Sequence, residues 1–501
     1  VALALGGGAG GGARRGGGAL GGGDLSEILA EDTRIVAGRL TTLGRRLWNQ
    51  QAEQAYAAAS AVAADKLHFV FSTDCRPFQH WQSVMLVGTA RLVGQRGNFT
   101  RIVSECKDEA SRQSMLRINQ PADGLATHFV PPMHADERRS LQWDGNGKRY
   151  PQQNRPDGLS HWLQNVDIAD DTILVVLDPD QLFLKPLTQN AELERPALIQ
   201  NWGGDRYIAR PGKPVGQGYG IASFKKYRKV CEETFGVDPT EGCQAAIIAE
   251  ETTDPQHMHR HYSVGAPYIM AAGDMRRLAP LWSKLTPGVH EIVNRIEADM
   301  WAYSMAAAHL GLAHDRVENH MISDPLGATR WEGPEAHKTA SVEGWHWIDG
   351  AYLAKDAPLA AQHPCRCHTP VHSPDPRAQL PTLMHYCQTY KVYHDEPGLS
   401  FQFGTSKYRM GNDMDILECD HPLLAEPWAP SPPGVDILGH STPDRWRKYR
   451  DPGLTQDERF PREAFAMCEV VLLWNVALLD FKKTWCPSGY NESKVYYQQN
   501  L

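Results

Sequence analysis

The stretch LVVLDPDQLFL at 174–184 is the feature that most restricts the fold. Four apolar residues meet an Asp178-Pro179-Asp180 turn, and an apolar pattern resumes at once. An unbroken apolar run of this length, flanked by turn residues, reads as a strand covered on both faces. Such strands belong to parallel or mixed sheets with helices packed on each side. HFVFSTD at 68–74 repeats the pattern, an apolar strand ending in small polar residues. Helix is expected from Trp81 to Val93, a second strand at 99–103, helix around 160–163 and strand at 172–177. This alternation predicts an α/β domain with a mainly parallel sheet. Ligands in such sheets sit beyond the carboxyl ends of the strands, where Thr73, Asp74, Asp178 and Asp180 fall.

The organisation along the chain follows from composition. Residues 1–24 are Gly-rich and of low complexity, so they are expected to form a disordered arm. Residues 25–66 show helical spacing and read as a stem. The α/β domain is expected over 67–430, with a Pro-, His- and Gly-rich insertion at about 325–380. Residues 431–501 read as a C-terminal extension that returns to helical periodicity at 462–482. No apolar stretch is expected to reach membrane-spanning length. The chain starts at Val1, so a membrane is expected only through an upstream anchor or signal.

The net charge of −8 gives no basic excess that would point to DNA or RNA. The 10 cysteines are scattered, without the paired CxxC spacing of a zinc site. An even number suits disulfides in an oxidising compartment. Cys75 with Cys106, Cys231 with Cys243, and a pair within the last hundred residues are the expected bridges. Asn98-Phe99-Thr100 and Asn491-Glu492-Ser493 are glycosylation triplets. GxSxG, HExxH and GxxxxGK[ST] do not occur.

Two carboxylates one residue apart supply hard oxygens for Mn²⁺ or Mg²⁺, directly or through water. An ion there would bridge a diphosphate and ease its departure. The same residues also suit an ordinary stiff turn. Arg101 is a candidate to compensate phosphate or to orient Asp74; a surface salt bridge is the plainer reading. Asn154 and Arg155 offer an amide and a guanidinium to ribose or diphosphate oxygens. Asn154 could equally cap the next helix, with Arg155 solvated. Gly265 and Pro267 frame a small-residue approach for a ligand, or a plain strand entry. The cluster from His257 to His261 suits a polar surface better than a metal site, but it is the one feature in favour of a zinc hydrolase.

Several of these blocks, in this order, resemble the plant and algal hydroxyproline O-arabinosyltransferases and the related peptidyl serine α-galactosyltransferases. They are HFVFSTDCRPFQHWQ at 68–82, FTRI at 99–102, NRP at 154–156, HWL at 161–163 and DPDQLFLKPL at 178–187. VGAPYI at 264–269, LAPLW at 278–282, DMWAY at 299–303 and LMHY at 383–386 continue the series. The resemblance implies a GT-A type glycosyltransferase with a Rossmann-like sheet. It would use a UDP-sugar and Mn²⁺ or Mg²⁺ in the Golgi or endoplasmic reticulum lumen. It would retain the donor's anomeric configuration and modify a hydroxyproline- or serine-rich protein. FTRI and NRP…HWL lean towards UDP-β-L-arabinofuranose and hydroxyproline, with UDP-galactose and serine as the alternative. The resemblance further implies Asp180 as the main metal ligand, Asp178 nearer ribose or a water ligand, and His385 completing the shell. Uracil would lie near Thr73 and Asp74. Asp299, where the family carries Glu, would face the sugar or the developing charge at its anomeric carbon. A non-catalytic lectin-like protein is the contrasting reading, to which 14 Trp would be suited.

Overall fold

The structure is a computed structural model. It describes residues 67–116, 125–131, 150–189, 208–219, 221, 225–238, 240–245, 257–317, 320–325, 345, 348, 350–351, 364–387, 389–396, 399–407, 416–426 and 456–495. The expected arm and stem, residues 1–66, lie outside the described residues.

A seven-stranded sheet has the order β3-β2-β1-β4-β7-β6-β8. Its strands are β1 (Leu67–Asp74), β2 (Asn98–Ser104), β3 (Leu125–Phe129), β4 (Ile173–Leu177), β6 (Val215–Gly218), β7 (Val264–Ala271) and β8 (Asp315–Val317). The first four in this order run parallel, as the apolar runs predict. β7 is antiparallel to both β4 and β6, while β8 runs with β6. The sheet is therefore mixed through the single reversed strand β7, and its other strands share one direction, in keeping with the mainly parallel expectation. A strand buried on both faces is apolar throughout in either direction, so its sequence carries no sign of its polarity.

The alternation of strand side chains sorts the core into two layers. Phe69 and Phe71 of β1 and Val175 and Leu177 of β4 join one cluster. Val70, Leu174 and Val176 join the other. The first layer is closed by α1 (Pro77–Leu92), which follows β1, and by a long C-terminal helix. Four more helices are α2 (Glu109–Met115), α3 (Asn154–Asn165), α4 (Arg228–Phe235) and α5 (His257–Tyr262). The second layer is closed by α3 together with α6 (Ala272–Val293) and α7 (Ala298–His309). α6 ends at Asn294, which takes the left-handed conformation with φ 46°. Asn tolerates that conformation better than most residues, and the turn it makes leads directly into α7.

The long helix is α8 (Gln456–Trp485). Within its segment Pro461–Trp485 an 18-residue window has a mean hydropathy of 1.8 and the length of a membrane span, against the expectation that no stretch would reach that length. The residues of that window are 78% buried inside the protein. Trp474 meets Trp81 of α1 edge to face, with ring centroids 5.6 Å apart. The apolar surface of α8 is thus satisfied by the core.

The two helices touch most closely at Gly88. A Cβ there would come within 2.6 Å of the Ala477 Cβ and 3.0 Å of its Cα. Alanine gains about 1 kcal/mol over glycine in helix propensity. Forcing the helices apart costs about 1–3 kcal/mol, and neither clashing atom can swing away. Gly88→Ala is therefore expected to lower the denaturation midpoint, measured by circular dichroism, instead of raising it.

α8 also carries Glu469, fully buried, with His368 Nε2 at 2.5 Å and His372 Nδ1 at 3.5 Å. Burial pushes its carboxyl up, but the bonds and charges of His368 and His372 outweigh that and hold it below the ordinary range. A depressed folded-state pKa stabilises the fold above the unfolded value, about 4.3, and that stability is lost as pH falls through the folded value. Glu469→Gln is expected to flatten the acid limb of the stability curve. An unchanged slope below about pH 4 in urea titrations would contradict the assignment.

Four disulfides are present. Cys75–Cys106, Cys231–Cys243 and Cys419–Cys486 form as expected. Cys365–Cys468, which ties a distant loop to α8, was not anticipated. Cys367 and Cys387 take no part in these disulfides.

Smaller sheets complete the described fold. One has the order β5-β10-β9, from β5 (Gln181–Phe183), β10 (Leu383–His385) and β9 (Met321–Ile322). β11 (Thr389–Glu396) and β12 (Leu399–Ser406) form a hairpin, and β13 (Leu423–Leu424) pairs with β14 (Lys494–Val495).

Candidate active site

The aspartate turn links two sheets. β4 ends at Leu177, and β5 begins at Gln181. β5 then pairs antiparallel with β10, placing His385 opposite Gln181. Two bonds fix the turn: the Asp178 N–H donates to Gln181 Oε1 (3.1 Å), and the Tyr386 N–H donates to the Asp180 carbonyl (3.0 Å). The apolar run that resumes after the aspartates is thus the strand that fetches a distant histidine to them.

Asp178, Asp180 and His385 each present a ligand atom within 4.8 Å of the others. His385 Nε2 lies 3.2 Å from Asp180 Oδ1 and 4.0 Å from Asp178 Oδ2. Asp180 also pairs with Lys407, just beyond β12. Burial pushes the Asp180 carboxyl up, but Lys407 and His385 overcome this and hold it far below the usual range. Burial pushes the His385 imidazole down, and the neighbouring Cys387 and Asp180 outweigh it, so the net shift is upward. Two carboxylates and an imidazole at this separation fit a divalent ion such as Mn²⁺. Among the described residues this is the single group of three such side chains.

Arg155 extends the cluster. It stands in the first turn of α3, reaching Asp178 Oδ1 at 2.5 Å and Asp299 Oδ2 at 3.5 Å. Burial pulls its pKa down, and the two carboxylates more than restore it. Asp299 lies in the first turn of α7 and is 1% exposed. Tyr150 holds it twice: the hydroxyl lies 3.1 Å from Oδ1 and accepts the Asp299 N–H at 2.9 Å. The Trp282 indole donates to its carbonyl at 2.7 Å. Burial raises the Asp299 carboxyl to about 6, Arg155 opposing and Asp178 adding to the rise. One guanidinium therefore bridges the aspartate turn and the acid of the DMWAY block.

The other sequence candidates fall as follows. Thr73 and Asp74 end β1, at the same sheet edge as the turn. The cation on Asp74 is Arg76, with Nε at 2.6 Å and Nη2 at 2.5 Å, rather than Arg101. Arg101 is fully buried behind Thr73 and donates to its Oγ1 at 2.9 Å. Its Nη1 meets His80 Nδ1 at 2.8 Å, so neither a phosphate contact nor a surface salt bridge describes it. Asn154 opens α3 and is buried; Gln153 holds the cap position, which removes the capping reading of Asn154. A Cβ at Gly265 would meet Met300 Cε at 2.6 Å and Tyr219 Cδ2 at 2.9 Å. The small residue there makes room for protein side chains. Pro267 follows a cis peptide bond within β7. His257 and His261 lie on α5 with ring centroids 4.8 Å apart, and neither belongs to the three-residue group above.

Sequence reading missed Lys407 and Tyr150. No local motif marks either one. Both are recruited by elements remote in sequence, Lys407 by the β11–β12 hairpin and Tyr150 by the start of α7.

No family model matches the chain. The chain nevertheless has weak but broad homology to plant and algal members of the hydroxyproline O-arabinosyltransferase and peptidyl serine α-galactosyltransferase group. It is 29% identical to the peptidyl serine α-galactosyltransferase of Arabidopsis thaliana, over 51% of this chain and 27% of that protein. The Chlamydomonas reinhardtii protein of the same name is 22% identical over 86% of this chain and 50% of its own length. Hydroxyproline O-arabinosyltransferase 1 of Arabidopsis thaliana is 22% identical over 53% and 59%. The chain thus spans less than two thirds of each of these relatives. Among solved structures, the galactosyltransferase LgtC, bound to donor and acceptor sugar analogs, aligns with a TM-score of 0.30 and 12% identity, over 66% of this chain and 91% of LgtC.

Proposed function

We propose that this chain is a metal-dependent, retaining glycosyltransferase of the GT-A type that takes its sugar from a UDP-sugar. The carrying observation is the convergence of Asp178, Asp180 and His385 at the end of a central strand. A divalent ion held there would offset the charge of a departing diphosphate. Lys407 brings a second cation to Asp180, suited to the same diphosphate. Arg155 orients Asp178 and Asp299 together, so nucleotide and sugar ends share one positioning group. Asp299 supplies a buried carboxylate for charge that develops at the anomeric carbon. Thr73 and Asp74 are assigned to the uracil side, with Asn154 towards ribose.

The acceptor in this reading is a hydroxyproline- or serine-rich protein in the Golgi or endoplasmic reticulum lumen, a compartment that the four disulfides favour. The higher identity to a peptidyl serine α-galactosyltransferase supports UDP-galactose and serine. FTRI and NRP…HWL support UDP-β-L-arabinofuranose and hydroxyproline as the second reading. The intact metal-binding group favours catalysis over a lectin-like role.

The test is release of UDP from a panel of UDP-sugars, with peptides containing serine or hydroxyproline, with and without Mn²⁺. One donor is expected to turn over, and only with metal. Release of no UDP from any donor in either condition would refute the proposal.

A further inference from the structure

The two glycosylation triplets stand in different surroundings. Asn98 is exposed at the start of β2, in register with His68 of β1. The candidate site lies at the opposite ends of these parallel strands, where Asp74 is level with Ser104. At about 3.3 Å per residue, Asn98 is roughly 20 Å from that end. The hydroxyl residue of its triplet, Thr100, is 3% exposed, and its Oγ1 lies 2.8 Å from His68 Nε2.

Asn491 is engaged at both ends of its amide. Its Nδ2 donates to the Asp420 carbonyl at 2.9 Å, and its Oδ1 accepts the Ser493 N–H at 2.9 Å. Its own N–H donates to the carbonyl of Cys419, which is bonded to Cys486. The triplet is therefore folded into a turn beside a disulfide.

We propose that Asn98 carries an N-linked glycan and that Asn491 does not. In the transfer, Asn98 Nδ2 forms a bond to the anomeric carbon of a lipid-diphosphate-linked oligosaccharide. The bond from that carbon to the diphosphate oxygen breaks, the amide nitrogen loses one proton, and the lipid diphosphate leaves. A host transferase reads the Thr hydroxyl, which folding buries against His68, so modification precedes closure of β1 on β2. The finished glycan stands in solvent, away from the candidate site. At Asn491 a sugar on Nδ2 would crowd the Asp420 carbonyl and oppose the turn that Cys419–Cys486 fastens. The four disulfides independently point to the oxidising compartment in which such triplets are read.

The experiment takes the protein from the organism that makes it and treats it with a peptide N-glycosidase in heavy-oxygen water. This converts each glycosylated Asn to labelled Asp, located by peptide mass spectrometry. Label at 98 alone is expected. Asn98→Gln should remove one glycan from the intact mass and leave the circular dichroism spectrum unchanged. Label at 491, or none at 98, overturns the proposal. Either outcome leaves the UDP-release result untouched, so the two readings fail separately.

Discussion

Asp180→Asn is expected to lower metal-dependent UDP release by about 100-fold or more, equivalent to about 2.7 kcal/mol of barrier. Asp180 is the hub of the site: His385 and Lys407 both meet its carboxylate. The amide keeps the shape but loses the charge and one ligand oxygen. Asp180→Ala should remove turnover entirely, and it also strips Lys407 of this buried carboxylate. Breaking a buried pair costs about 3–5 kcal/mol, so the alanine variant needs a melting curve beside its assay. The asparagine variant separates chemistry from folding. If it is folded and still binds Mn²⁺ with wild-type affinity by calorimetry, Asp180 is not the ligand. His385→Ala should lose metal affinity in parallel, and an ion found away from His385 in a UDP and Mn²⁺ complex would end the three-residue assignment.

The second large effect is at Asp299. Asp299→Asn should reduce turnover by about 10²- to 10³-fold, while UDP binding changes little. The carboxylate is buried and faces Arg155, whereas the metal group is completed without it. In the proposed transfer its contribution would grow with charge at the anomeric carbon, which would place the loss in the transition state. Glu297 is the control. It precedes α7 and pairs with a largely exposed Arg295 at 3.3 Å, a contact worth about 0–1 kcal/mol. Glu297→Gln should therefore stay near the wild-type rate. Equal losses in the two variants would reduce Asp299 to a residue that merely suits the start of a helix.

The legible parts of this fold were those whose physics is local. HFVFSTD and LVVLD read as buried strands because helices cover both faces, which leaves no polar side to interrupt the apolar run. The aspartate turn was visible for the same reason, as charge at the end of such a strand. The reversal of one strand, β7, was not visible. Arg155 looked like a nucleotide ligand because one residue cannot announce two partners as remote as Asp178 and Asp299. Lys407 had no signal at all. The helix at 462–482 was recognised from its period, but its partner was not, since an apolar helix fits many surfaces equally well.

The position of α8 bears on how the protein can be made. A nascent chain emerges from its N-terminus, and local units generally fold as they appear. Here β1, α1 and β4 would wait, because one layer of their core is completed by residues from Ala464 to Phe481. Cys365 must likewise hold its thiol until Cys468, 103 residues later, has been synthesised. His385 and Lys407 also follow Asp178 and Asp180 in the chain, so the aspartates emerge without their eventual neighbours. Ribosome-bound chains ending before Cys468 would thus be protease-sensitive and lack the packed layer behind Asp178, Asp180 and His385, so that fold and candidate site would be completed together.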